Sequence, residues 1–435
     1  MKDGSSSNPE AGSACGRDFM LFRAGQFVSG LGDACAEIAV LWWVAEKTGS
    51  AVQIAAVFAP VSVARIFLLP LFGPLGDKYS RKSLAIISDV WRGVLSALIC
   101  ALAWTDSFGL AALVALFILS SAGSALFSSV ADSIIPQMVG TGSLQKAYRH
   151  TSSMNAAAAI IGGVIGGFIT AKYGIKTAFL CDALSYFAAA GATMLIRLRY
   201  SGQRGDASRF SFPAWRKELK AGVRLVAGMP LQLWICGLAA FLNFVVASMT
   251  VAFPLLAKES GAMPVWLIGL FKSGVSAGVI AGSFAMGWLA KRLHGDQLVM
   301  AGIVVMGAGL LTLGSGASPA VQCLVMFAIG SGLVIINIPL MTQNTLAVPD
   351  QYRSRVLSLA MFFNQIFAPA GVILAGSAIS FAGLGATLLA GGGLILLSAP
   401  VVLLIPGFSG FLRLKHGDAE GYFAKTYPAA FEGSV

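Results

Sequence analysis

The most constraining feature of this chain is a train of long apolar runs, each close to the length of a membrane-crossing helix. A hydrocarbon core about 30 Å thick takes about 20 helical residues to cross. Runs of that length lie at 20–44, 52–73, 84–104, 109–131, 150–171 and 177–197. After a polar stretch they resume at 230–257, 265–289, 297–316, 320–345, 355–380 and 384–407. Inside lipid the backbone must satisfy its own hydrogen bonds, which a lone apolar segment does only as a helix. The expected fold is therefore an all-α membrane protein with twelve transmembrane helices.

Composition agrees and closes other routes. Of 435 residues 57% are apolar and only 11% charged, where a soluble domain carries about 25% charged residues. The net charge of +11 does not mark a nucleic-acid binder, because the cations sit in short segments between apolar runs rather than on one face. Cys15, Cys35, Cys100, Cys181, Cys236 and Cys323 fall mostly inside apolar runs at irregular spacing, which fits neither a disulfide framework nor a zinc site. The first 18 residues are polar and lack an apolar core before a cleavage site, so no removable signal peptide is expected.

Orientation follows from the cations. With a cytoplasmic N-terminus, Lys78, Arg81, Lys82, Lys146, Arg149, Lys291, Arg292, Arg353 and Arg355 all face inward. The eight cations between Arg197 and Arg224 join them, while Lys47, Lys172, Lys176 and Lys258 stay outside. Both termini are then cytoplasmic and the number of spans is even. The expected organisation is a disordered N-terminus (1–18), a six-helix bundle (19–198), a basic cytoplasmic linker (199–228), a second six-helix bundle (229–410) and a cytoplasmic tail (411–435). The linker is either flexible or a short amphipathic surface helix built on Trp215, Leu219 and Val223.

The halves resemble each other. Gly73-Pro-Leu-Gly-Asp77-Lys-Tyr-Ser-Arg81-Lys82 follows the second run, and Gly287 to Asp296 follows the eighth. Ile135-Pro136 and Val348-Pro349 form a second pair. Gly73 to Lys82 is similar to the signature loop of the major facilitator superfamily, departing from it at Gly76, Lys78 and Ser80. Glu46 to Ala51, Asp89 and Arg92, Asp182, and Val348 to Val356 resemble the macrolide-efflux and enterobactin-exporter subfamily. The resemblance implies two six-helix bundles rocking about a central site. It also implies a gating loop of Gly73, Asp77, Arg81, Lys82, Asp89 and Arg92 whose charges bond one half to the other on the cytoplasmic side. Asp89 and Arg92, three residues apart, can also pair locally. Gly162, Gly163, Gly166 and Gly167 are similar to an antiporter motif in which a proline stands at the place of Gly163. Such glycines also serve ordinary helix packing.

Charges within the bilayer are costly and tend to be functional. Gln26, Gly30, Asp33 and Glu37 are spaced 4, 3 and 4 and form one stripe down the first helix. Two carboxylates so close in a poorly solvated cavity can handle protons or a cationic substrate, with Asp33 nearer the midpoint. The other reading is a structural pair neutralised by Arg65 or Lys272, the latter able to reach Asp33 or Glu37 across the cavity. Asn243, Asn337, Asn364 and Gln365 lie near other midpoints and could bond substrate or neighbouring helices. Phosphate-loop and zinc-protease motifs are absent, and His150, His294 and His416 fall in cytoplasmic segments, so an enzyme is not expected.

The reading that follows is a monomeric exporter in the bacterial cytoplasmic (inner) membrane. It would move a small organic molecule, a drug such as a macrolide or a siderophore-like metabolite, by proton antiport. Its partners would be that molecule, protons and membrane lipid, with no cofactor, metal or nucleic acid. The alternatives are a nutrient or lysolipid importer or facilitator, and a non-transporting sensor.

Overall fold

The computed structural model describes residues 16–72, 75, 79–105, 109–139, 144–197, 220, 222–261 and 264–432, and every regular element among them is an α-helix. The first group comprises α1 (Arg17–Thr48), α2 (Ala51–Phe72), α3 (Arg81–Trp104), α4 (Leu110–Met138) and α5 (Leu144–Leu195). The second comprises α6 (Pro230–Ala247), α7 (Met249–Glu259), α8 (Pro264–Leu289), α9 (Gly295–Gly314), α10 (Pro319–Ala347), α11 (Asp350–Ile366), α12 (Ala368–Ala382) and α13 (Leu384–Leu404). Four short helices follow: α14 (Phe408–Leu412), α15 (His416–Ala419), α16 (Tyr422–Thr426) and α17 (Pro428–Glu432). Among the described residues eleven helical stretches are long and apolar enough to cross a bilayer. In that count α6 with α7, and the end of α11 with α12, form one stretch each.

The expected spans at 150–171 and 177–197 run together as α5, which is interrupted only at Gly174 (φ 80°, ψ 178°). Glycine enters that region without the Cβ clash that bars other residues. Both arms pack along α1 but in opposite directions. Gly162 and Gly166 lie against Ala34 and Cys35, whereas Asp182 and Ser185 lie against Gly32 and Ala189 against Gly25. Gly174 is therefore the tip of a helical hairpin. The fourth membrane stretch, Leu110–Ala131, agrees with the expected run 109–131. The helix itself continues through Pro136 to Met138, because a proline in a last turn removes a single hydrogen bond. The eleventh expected span divides at Phe367, where Pro369 offers no N–H to the preceding turn.

In the first group α1 and α3 pack on α5, and α2 and α3 on α4; in the second, α10 packs on α8 and α9, and α9 on α13. The groups meet along two seams, α5 with α8 and α2 with α12. Without a hydrophobic drive between helices in lipid, close backbone approach through small residues does the joining. A Cβ on Gly269 of α8 would stand 2.3 Å from the Gly163 carbonyl oxygen, and one on Gly163 would stand 2.9 Å from the Gly269 carbonyl oxygen. These two backbones touch.

The chain after α13 folds back onto the second group. Phe408, Phe411 and Phe423 are fully buried, and the last two rings stack with centroids 5.4 Å apart. Asp296, at the start of α9, is buried and accepts from Arg413 Nε at 3.1 Å and from Nη2 at 2.7 Å. That carboxylate holds the Arg413 guanidinium above its ordinary range. Gln343 Nε2 donates to the Leu414 carbonyl at 3.0 Å, and Gly421 N–H to that of Leu346 at 3.1 Å. Arg413→Ala is expected to speed proteolytic removal of the tail while leaving α1 to α13 intact. A digestion rate equal to the parent's would show that the aromatic contacts and the hydrogen bonds at Leu414 and Gly421 hold the tail without the ion pair.

Candidate functional site

The acidic stripe of α1 is met by two elements distant in sequence, α3 and the second arm of α5. Asp89 and Arg92 of α3 form a buried ion pair. Gln26 Nε2 of α1 donates to the second Asp89 oxygen at 3.3 Å. The Arg92 guanidinium lies 4.3 Å from the Tyr186 ring centroid and 5.0 Å from that of Phe127, a cation held between aromatic faces. Its Nη1 donates to the Tyr186 hydroxyl at 3.4 Å, and that hydroxyl in turn donates to Asp33 Oδ1. One chain of contacts thus runs Gln26–Asp89–Arg92–Tyr186–Asp33. Asp33 ends it on the exposed side, while Asp89 sits at 0% exposure.

Asp182 lies one turn before Tyr186. Its Oδ2 accepts from Ser96 Oγ at 2.7 Å, and its Oδ1 is buried without a hydrogen-bond partner. One oxygen is therefore solvated by a hydroxyl and the other by nothing. One turn beyond Asp33, Glu37 forms an ion pair with Lys272 of α8. That pair ties the two groups together, and the Glu37 side chain remains 45% exposed. Of the two acids that Lys272 was expected to reach, it takes Glu37, and Asp33 finds a phenol instead. Arg65 stands exposed on α2.

The glycine cluster divides its work by helix face. Gly162 and Gly166 admit α1, and Gly163 and Gly167 admit α8. Within the signature loop, Gly73 and Asp77 lie outside the described residues. Ser80 caps α3, which Arg81 opens. Lys82 Nζ donates to the carbonyls of Met194 and Ile196, both at 2.8 Å, and so caps the end of α5. Lys82 thus bonds within its own group, whereas the resemblance implied bonding across to the other half. An ammonium at a helix C-terminus satisfies carbonyls that have no intrahelical donor. Asn243 and Asn337 donate to Ala239 and Leu333 of their own helices at 2.9 and 2.7 Å, so these amides do not bridge helices. Gln365 is exposed, and Asn364 keeps a buried Oδ1 without a partner. Asn243 also opens on a cavity of about 280 Å³ in the second group, lined by Phe253, Val275, Met326 and Leu333.

Tyr186, Ser96 and Phe127 were not singled out from sequence. Tyr186 sits 153 positions from the carboxylate it touches. The one available signal was Asp182, an acid inside an apolar run with a tyrosine four residues on, the same helical face.

The model of the Major Facilitator Superfamily matches residues 24–372. The chain belongs to that superfamily. Macrolide efflux protein A of Streptococcus pyogenes is 22% identical over 366 residues, covering 82% of this chain and 88% of that protein. The multidrug efflux pump Tap of Mycobacterium tuberculosis is 23% identical over 379 residues, covering 82% and 86%. An uncharacterised transporter of the superfamily from Bacillus subtilis, YvqJ, is 24% identical over 94% of this chain and 96% of its own length. Among solved structures the nucleoside transporter NupG superposes with a TM-score of 0.73 at 11% identity, over 92% of this chain and 100% of that one. The peptide transporter PepTSo gives 0.71 at 13% identity, over 95% and 98%. At these identities the structural likeness speaks for the fold alone. This superfamily member is a multi-pass membrane transport protein with bacterial relatives, among them efflux proteins.

Proposed function

We propose that this chain is a proton-coupled exporter of a small organic molecule in the bacterial inner membrane. Twelve crossings, the α5 hairpin supplying two, form two six-helix bundles (19–198 and 229–410) joined by the linker 199–228. Both termini lie in the cytoplasm, and one chain forms the whole pathway. The efflux relatives support export, and make a drug such as a macrolide, or a siderophore-like metabolite, the substrate class to test.

The observation that carries the reading is Asp33. It is an exposed carboxylate on a membrane helix, connected through Tyr186 to a buried Arg92–Asp89 pair. An acid that reaches the transport space can exchange protons with it, and the phenol links its charge to α3 and α5. The Glu37–Lys272 pair adds a lock between the bundles. That pair must break for the bundles to part along this seam, so it sets a cost on opening that the transport cycle has to meet.

Tyr186→Phe removes the phenol's hydrogen bond to Asp33 but keeps the ring beneath Arg92. A hydrogen bond to a charged group contributes about 1.5 kcal/mol or more, so transport is expected to slow about tenfold with little change in melting temperature. A variant as fast as the parent would remove Tyr186 from the mechanism. The broader test places the purified protein in liposomes with a pH dye inside and imposes gradients of macrolides, dyes and siderophores. Compound-dependent proton movement supports antiport. Movement of a compound without proton flux makes the protein a facilitator.

A further inference from the structure

A cavity of about 710 Å³ is a crevice between α1, α5 and α8 rather than part of the stripe. Trp42, Glu46, Phe168, Thr170, Lys172 and Trp266 line it. All six lie within a few residues of a helix end or of the Gly174 turn, so the crevice opens where spans meet the headgroup layer. Its volume is that of a small-molecule site.

Three properties point to one kind of occupant. The walls are aromatic: Phe168 and Trp266 face each other across the α5–α8 seam with centroids 5.9 Å apart. Aromatic faces beside the Glu46 carboxylate suit an ammonium group. The Lys172 ammonium, 5.6 Å from the Phe168 centroid, suits a phosphate at the same rim. In addition Thr170, 5% exposed, carries a hydroxyl without a hydrogen-bond partner. Beside the crevice α5 and α8 are in close contact, since a Cβ on Gly167 would stand 3.3 Å from the Val265 carbonyl oxygen. An interfacial crevice with one acid, one base and aromatic walls complements a zwitterionic headgroup.

We propose that this crevice binds a membrane phospholipid whose headgroup carries both an ammonium and a phosphate, as phosphatidylethanolamine does. Glu46 and the aromatic walls take the ammonium, and Lys172 takes the phosphate. Because α1 and α5 belong to one group and α8 to the other, an occupant spans the seam and holds this end closed. The site does not depend on what the protein moves.

Native mass spectrometry of the full chain, purified from equal mixtures of phosphatidylethanolamine and phosphatidylglycerol, tests it. The parent is expected to retain the ethanolamine lipid over the glycerol lipid by about fivefold, the size of one exposed cation–aromatic contact. Glu46→Gln, at an exposed position, and Trp266→Ala should each bring that ratio toward one. Equal retention by the parent, or a preference unchanged in both variants, overturns the proposal. Displacement of the lipid by excess free phosphoethanolamine would assign the crevice to a soluble compound and overturn the lipid source.

Discussion

Arg92→Ala is expected to cost about 3–5 kcal/mol of stability, the penalty for leaving a buried partner charge uncompensated. Asp89 is at 0% exposure and takes its charged contact from Arg92, with Gln26 as an added neutral donor. Truncation also empties the space between the Tyr186 and Phe127 rings, so the packing contribution of the guanidinium is lost with its charge. The measurement is intrinsic tryptophan fluorescence during thermal unfolding in detergent. Two further variants separate charge from shape. Arg92→Lys keeps the charge but not the planar fork, and should recover only part of the loss. The double variant Asp89→Leu with Arg92→Met removes both charges at similar volume and should recover most of it. A single Arg92→Ala loss within about 0.5 kcal/mol, the scale of a surface change, would contradict the buried-pair reading.

Gly269→Val is expected to abolish most transport while leaving each helical group folded. Its Cβ would meet the Gly163 carbonyl oxygen at 2.3 Å and the Gly167 Cα at 3.2 Å, and neither is a side chain that can rotate away. Overpacking of this kind typically costs about 1–3 kcal/mol. At the seam between two groups that cost is relieved by separation, so it falls on the balance between conformations. About 2.7 kcal/mol shifts such a balance about 100-fold. Gly278 supplies the contrast. Its Cβ would stand 2.0 Å from the Phe327 carbonyl oxygen, a contact within the second group that no rocking motion relieves. Gly278→Val should therefore lower the melting temperature first, whereas Gly269→Val should lower the transport rate first. Equal melting losses with equal residual transport would show that the α5–α8 seam is not a moving surface.

The fold was legible because lipid imposes a one-dimensional code. Each crossing must be predominantly apolar over about 20 residues, and the breaks must be polar. The joints were less so. The hairpin tip does fall in the expected gap, at Gly174, the one glycine between 171 and 177, whereas the division of the eleventh span at Phe367 had no such mark. The tail gave no sign of docking, since Phe411, Phe423 and Arg413 sit in a short mixed segment whose partners are Asp296 and the end of α10.

The site was legible along one helix and opaque between helices. Spacing placed Gln26, Asp33 and Glu37 on one stripe because an α-helix repeats every 3.6 residues. Nothing in spacing chooses partners across a cavity. Lys272 could reach either acid by length alone, and its pairing with Glu37 depends on where α8 stands against α1. Tyr186 carries no charge and so offers no electrostatic cue. The amides misled for a related reason. Asn243 and Asn337 look like bridges in an apolar run, yet each bonds the carbonyl four residues back, the nearest acceptor its side chain meets.

Asp33→Asn in liposomes with an internal pH dye shows whether Asp33 couples proton movement to export. Asparagine keeps the shape and accepts the Tyr186 hydroxyl but cannot carry a proton in exchange. The expected result is substrate exchange that persists across the membrane with no accompanying proton flux and no response to an imposed pH gradient. Proton flux equal to the parent's in a folded Asp33→Asn protein would contradict that coupling and return Asp33 to a structural charge.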